Sequence, residues 1–90
     1  MRKPQVVKNL AFKVIGEETI ILDTKVNKAV HHLNEVGSHI WKFCDGAHEV
    51  RTIVAEVCKE FDVDETIAQK EVNDFLTELF QKNLIIDSDT

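Results

Sequence analysis

The sequence predicts an α+β domain of winged helix-turn-helix-like order: a three-stranded antiparallel sheet followed by three helices and a short terminal strand. Three observations lead there. Apolar residues recur with a period of two in short runs between Leu10 and Leu33, as half-buried strands require. At Leu33 the period changes to about 3.6 and stays helical to about Lys82. The last two helical stretches are divided by a short Asp-containing turn and followed by "LIID", the order of a helix-turn-helix with its wing.

The first strand is expected over 10–15, with Leu10, Phe12 and Val14 on one face and Lys13 on the other. Gly16-Glu17-Glu18 supplies a turn, and "TIILD" over 19–23 folds back on the first strand as a hairpin. "TKVNK" breaks the pattern. The third strand, 28–33, is "KAVHHL", less apolar and with two adjacent histidines that must point to opposite faces, which suits a sheet edge. The first helix is expected over 35–44, with Asn34 as N-cap, Glu35 near the positive end of the dipole, and Asp45-Gly46 closing it through a left-handed glycine. The second, 50–60, has one apolar stripe of Val50, Ile53, Val54, Val57, Cys58 and Phe61. The third, 65–82, is capped by Asp64 with a Val63–Ala68 staple and ends at Asn83. A short strand over 84–86 is placed against the sheet, and the final "SDT" should fray.

Ninety residues with 43% hydrophobic content are expected to build one domain over 1–90. The opening "MRKPQVVKN" lacks the continuous apolar run of a targeting signal, and no stretch approaches membrane-spanning length, so the expectation is a cytoplasmic protein without a membrane partner. Two cysteines, Cys44 and Cys58, are too few for a disulfide scaffold and fit a reducing compartment. The net charge of -5 is unevenly spread: Arg2, Lys3, Lys8 and Lys13 meet no acid in the first thirteen residues, while the last third is strongly acidic.

Catalytic and metal chemistry find no support. There is no Gly-rich phosphate loop and no nucleophile with recognisable partners, so an enzyme is not expected, nor is a cofactor. Cys44, His48 and Cys58 match no metal-ligand spacing, and both thiols fall on apolar stripes where cysteine behaves as a small hydrophobe. His31 and His32 cannot chelate one ion from a strand, and His39 is placed on the exposed face of the first helix. Trp41 sits at helical spacing with Leu33, Gly37 and Cys44, so a core role is preferred over display as a binding hot spot. Duplex DNA is a poor partner for the third helix. Its Asp64, Glu65, Glu71, Asp74 and Glu78 outnumber Lys70 and Lys82, and no Arg follows Arg51, so no nucleic-acid partner is expected. What remains is an exposed strand edge beside an amphipathic helix, the two parts that capture an extended peptide by strand addition.

The stretch "LNEVGSHIWKFCDG", Leu33 to Gly46, resembles the PqqD family, whose mark is Leu-Asn-Glu, a small residue, an Ile-Trp-like pair and then Asp-Gly. The similarity continues through "IVAEVCKEFDVD" and "VNDFLTELFQKNLI", from about Leu10 to Ile86. The resemblance implies a RiPP recognition element: a peptide chaperone that binds the leader of a ribosomally made precursor and presents it to a modifying enzyme, commonly a radical S-adenosylmethionine protein. It implies that the leader adds as a strand to the third strand, here Lys28, Ala29, Val30, His31, His32 and Leu33, and is clamped by the third helix through Ile67, Lys70, Glu71 and Asp74. The sequence leaves open which flank of that helix faces the groove. Two departures stand out: Glu49 and Thr52 reverse the usual capping-box order, and "DTKVNKAVHH" lacks the apolar, proline-containing look of pyrroloquinoline quinone biosynthesis members. The acidic third helix further implies a preference for a leader carrying Lys or Arg, weakened by salt. A winged-helix DNA binder and a small structural subunit docking on an enzyme are the alternatives. A monomer and a homodimer are both open, because a free strand edge can pair with its own copy.

Overall fold

The computed structural model describes residues 2–8, 10–23 and 29–88. Lys28, the "TKVNK" break over 24–28 and the last two residues of the "SDT" end lie outside the described residues. Among the described residues there are five strands and three helices: β1 (Pro4–Val6), β2 (Leu10–Ile15), β3 (Glu18–Asp23), β4 (Ala29–Leu33), α1 (Glu35–Lys42), α2 (Val50–Phe61), α3 (Glu65–Gln81) and β5 (Ile85–Asp87). β2, β3 and β4 form the antiparallel sheet, with β3 in the centre.

The hairpin between β2 and β3 is tighter than the sequence suggests. Only Gly16 and Glu17 separate Ile15 from its partner Glu18, and Gly16 takes φ +62 at the first loop position, where a two-residue turn requires a residue free of Cβ strain. The register then decides the two faces of the sheet. Thr19, Ile21 and Leu33 are buried, so their cross-strand partners Val14, Phe12 and His31 share the inner face. Ala11, Ile20, Leu22, Val30 and His32 belong to the outer face, which no described element covers.

α1 starts as expected, with the Asn34 side chain accepting the Gly37 N–H at 2.8 Å. It ends two residues early. Phe43 and Cys44 turn back in a tight last turn, their N–H groups donating to Ile40 and Trp41 carbonyls at 3.0 and 3.1 Å. Gly46 therefore does not close the helix. At φ +80 it receives β1 instead: its N–H donates to the Pro4 carbonyl at 3.0 Å, and a Cβ there would stand 2.9 Å from Gln5 Oε1.

β1 was not legible in the sequence, because three residues opening on a proline carry no usable period. It is held on both edges. Along one side β5 pairs with it from Pro4↔Asp87 to Val6↔Ile85, so the terminal strand joins β1 and not the main sheet as expected. Along the other, Gln5 bridges Asp45 and the Val6 N–H donates to the Cys44 carbonyl at 2.9 Å.

α2 begins at Glu49 without a side-chain cap bond, as the reversed Glu49/Thr52 order implies, and ends at Asp62 in the left-handed conformation (φ 53), its N–H bonded to the Cys58 carbonyl. α3 follows after three residues. Asp64 Oδ1 accepts the Ile67 N–H at 2.9 Å. At the other end Leu84 N–H reaches the Leu79 carbonyl and Asn83 N–H the Phe80 carbonyl, both at 3.0 Å, a Schellman closure with Asn83 at φ 61. The core lies between the sheet and the helices: Ile21 and Leu33 meet Ile40 and Trp41 of α1, Ile53 and Val57 of α2, Ala68, Val72 and Leu76 of α3, and Leu84 and Ile85.

Cys44 belongs to this core. Its thiol donates to the Ile40 carbonyl at 3.4 Å, and burial, with the Asp45 charge second, pushes its pKa up to about 12. Cys58 is only half-buried. In the native protein at neutral pH, a thiol-specific reagent such as iodoacetamide should modify Cys58 and spare Cys44; mass mapping that finds Cys44 alkylated first would contradict this burial. Two cap substitutions test the helix ends. Asp64→Ala is expected to cost about 1 kcal/mol, and Asn83→Val about 1–2 kcal/mol because a β-branched residue resists positive φ. Thermal melts should show a drop of roughly 4–8 °C per kcal/mol for a chain of this size, with Asn83→Gly spared.

Candidate functional site: an open strand edge and a groove beside the third helix

β4 pairs with β3 on one side only, from Thr19↔Leu33 to Asp23↔Ala29, and among the described residues no strand occupies its other edge. The backbone groups along that edge face outward, free to pair with an added strand. The side chains divide by face. Val30 and His32 are exposed on the outer face, and His31 is half-buried on the inner one. Leu33 is in the core, so only its backbone belongs to the edge. Ala29 is described as the first residue of the strand.

The end of β4 runs directly into a groove of about 270 Å³ between the start of α1 and α3. Asn34, Val36 and Gly37 form one bank, and Ile67, Glu71 and Phe75 the other. Gly37 lets the two banks approach: a Cβ there would lie 3.1 Å from two atoms of the Phe75 ring. On α3 the residues Ala68, Val72, Leu76 and Leu79 point into the core, which turns Ile67, Glu71 and Phe75 to one flank. Ile67 is 51% exposed, a large apolar side chain offered to the groove and not packed into the core.

The four α3 residues named from the sequence therefore separate. Ile67 and Glu71 line the groove. Lys70 and Asp74 do not. They pair with each other at 2.7 Å on the exposed side of the helix, and the Asp74 carboxylate raises the pKa of Lys70. Lys82 and Glu78 make a second such pair at 2.8 Å, leaving Glu71 as the carboxylate of the groove bank. Sequence reasoning missed Val36, Phe61, Val63 and Phe75 as groove residues, since each sits on an apolar stripe and the pattern cannot separate a stripe's buried centre from its open margin.

The histidines away from β4 also find places. His39, expected on the exposed face of α1, is half-buried. Its ring packs edge-on against Phe43 at 5.2 Å and Phe61 at 5.4 Å, because the end of α2 lies across that side of the helix. His48 packs against the Phe43 ring at 5.2 Å, and its Nδ1 bonds Asp45 Oδ1 at 2.9 Å. The Asp45 carboxyl is held below the usual carboxylate range by the Ala47 N–H first and by His48 second.

Fold and groove together define an α+β module of winged helix-turn-helix order with one strand edge open beside an apolar channel. The profile of the family described as "Coenzyme PQQ synthesis protein D (PqqD)" matches residues 18–85, from β3 to the start of β5, and the chain belongs to the PqqD family. A search of curated proteins found no match. Among solved structures, the chain is similar to "TbiB1 in Complex with the TbiA(beta) Leader Peptide", with a TM-score of 0.81 and 26% identity over 90% of this chain and 93% of that one. It is also similar to the solution structure of the PqqD truncation of Methylobacterium extorquens PqqCD, described as a functional and stand-alone RiPP recognition element. That match has a TM-score of 0.73 and 18% identity over 92% of this chain and 87% of that one, and at this identity the likeness is one of fold. Among the described residues no helix is long and apolar enough to cross a membrane.

Proposed function

We propose that residues 1–90 act as one non-catalytic recognition domain that binds the leader of a ribosomally made precursor peptide and presents it to a modifying enzyme. The observation that carries this reading is the unpaired edge of β4 leading into the groove banked by Ile67, Glu71 and Phe75. A TM-score of 0.81 to TbiB1, a protein solved with a leader peptide, supports it. The leader adds to β4 as a fourth strand, so main-chain hydrogen bonds along Lys28 to Leu33 supply affinity for any sequence. Selection comes from alternate side chains: an apolar one entering the groove against Ile67 and Phe75, and a Lys or Arg meeting Glu71. Lys70 and Asp74 contribute as an exposed pair at the groove's margin and can exchange partners with leader charges.

The protein is a cytoplasmic carrier in this reading, needs no cofactor of its own, and works as a monomer or homodimer. A radical S-adenosylmethionine protein is the first enzyme to test as the recipient. The duplex-binding alternative is disfavoured by α3, whose exposed acids Glu65, Glu71, Asp74 and Glu78 would face phosphate.

The binding mode is open to direct test. When the isotopically labelled protein is titrated with a leader from a precursor gene adjacent to its own, amide shifts should cluster in β4 and around Ile67, Glu71 and Phe75. Shifts confined to other elements would sink the strand-addition reading. Ile67→Asp should weaken the leader by about tenfold or more, the loss expected when an apolar contact of at least about 1.4 kcal/mol is replaced by a charge. The electrostatic part is tested separately. For a leader bearing Lys or Arg at the bound segment, Glu71→Gln and high salt should each reduce affinity, by about two- to fivefold for one exposed pair; equal affinity at low and high salt would rule that contribution out while leaving strand addition standing.

A further inference from the structure

The sheet has a second open edge. Among the described residues β2 (Leu10–Ile15) pairs with β3 alone, and along its inner face lies a cavity of about 420 Å³, larger than the groove beside α3. Phe12 and Val14 point into the same layer as buried Thr19 and Ile21, yet they are 52% and 54% exposed because α1 stops short of covering them. The floor is aromatic: the Phe12 ring packs edge-on against Trp41 at 5.6 Å, and Phe61 closes the far wall. Trp41 lines this cavity and is 4% exposed, and its indole N–H has no acceptor among the described residues, an unmet donor of the kind a bound carbonyl satisfies.

The rim has a definite sign. Glu17 from the hairpin, Glu35 from α1 and Glu60 from α2 come together at the mouth, joined by Asp45, which His48 already engages. Lys42 is the one full cation among the lining residues, with His39 turned to its aromatic partners. The charge of Glu17, then burial, then a hydrogen bond with Glu17 and more weakly Glu60 raise the pKa of Glu35, the mark of acids held close together. Such a site, apolar below and acidic above, matches side chains with an apolar stem and a cationic head, which is what Lys and Arg are.

We propose that the β2 edge is a second docking surface, for an extended segment of a partner protein whose alternate residues are Lys or Arg. A strand added along β2 sends every second side chain toward the cavity. Their stems lie on Phe12, Val14 and Trp41, and their heads reach Glu17, Glu35 and Glu60. The intervening residues lie beside Ala11, Lys13 and Ile15 on the uncovered outer face, where apolar side chains gain most against Ala11, Ile15 and the Lys13 stem. Because β2 and β4 are opposite edges of one sheet, a leader on β4 and a partner segment on β2 can be held at once. The β2 site stands on its own residues and does not require the leader reading.

The full chain is titrated by NMR with the blocked peptide acetyl-Lys-Val-Lys-Val-Lys-amide and, separately, with its counterpart carrying Glu for Lys. The expected result is a set of amide shifts over Phe12 to Gly16 together with a shift of the Trp41 indole N–H, given by the Lys peptide and not by the Glu peptide. Combining Glu17→Gln, Glu35→Gln and Glu60→Gln should weaken the Lys peptide about three- to tenfold, as loss of three exposed charge contacts implies. All three positions are solvent-accessible, so the variant should keep its fold, which the unchanged remainder of the spectrum would verify. The proposal is overturned if the Lys peptide shifts only β4 and α3, if both peptides act alike, or if neither moves β2. It also fails if the β2 and Trp41 signals move with protein concentration alone, since a second copy would then be the occupant.

Discussion

The wedge of α1 between the sheet and the other two helices is the contact on which this structure depends. Eight residues do it. Ile40 and Trp41 fill the space beneath Ile21 and Leu33, Gly37 admits the Phe75 ring of α3, and Ser38, itself buried, ties back to the Leu33 carbonyl at 3.3 Å. Truncating a buried aromatic residue costs roughly 3–5 kcal/mol, against about 5–15 kcal/mol for the whole stability of a typical domain. Both cavities exist because of where this helix sits: one opens between its first turn and α3, the other along its length from Glu35 to Lys42, toward β2.

A short helix cannot cover a three-stranded sheet, and the consequence is two exposed strand edges with apolar side chains beside them. Most proteins blunt such edges with charges, bulges or a covering element. Here Lys13 and His32 are the polar residues along the outer face of the edge strands, and neither edge is capped by another described strand. An edge left open in this way is a binding device or an aggregation hazard. The acids at Glu71 on one side and at Glu17, Glu35 and Glu60 on the other argue for the first. They repel copies of this acidic chain and favour extended segments of opposite sign.

The small ribbon of β1 and β5 has a different task. The Asp87 carboxylate accepts the backbone N–H groups of Arg2 and Lys3, both at 3.1 Å, and Ser88 Oγ bonds the Lys3 and Gly46 carbonyls, so the two ends of the described chain meet beside the turn that follows α1. This closes the bottom of the core under Leu84 and Ile85 and fixes the direction in which α1 leaves the sheet. Glycine at 46 serves this docking, since it holds φ +80 without strain and leaves the Gln5 side chain room to lie against it.

Local chemistry made much of this legible. The caps at Asn34 and Asp64, the left-handed Asn83, the hairpin at Gly16 and the core place of Trp41 are each decided within a few residues, by side chains that bond their own backbone or by one apolar period. The resemblance carried by "LNEVGSHIWKFCDG" includes two of these positions, Asn34 and Trp41, so the family too was legible. What the chain order could not show is which margin of each apolar stripe stays open. Ile67 and Phe75 belong to one helix with Ala68 and Leu76, and the approach of α1, far away in sequence, turns the first pair into a groove while the second pair is buried. In the same way Lys70 and Asp74, candidates by position, pair with each other on the exposed side of α3 and are not among the residues that line the groove. The partner of the terminal strand was likewise decided by tertiary structure. β1 and β5 are too short to pair on their own strength and become strands only because the folded core brings residues 4–6 and 85–87 side by side.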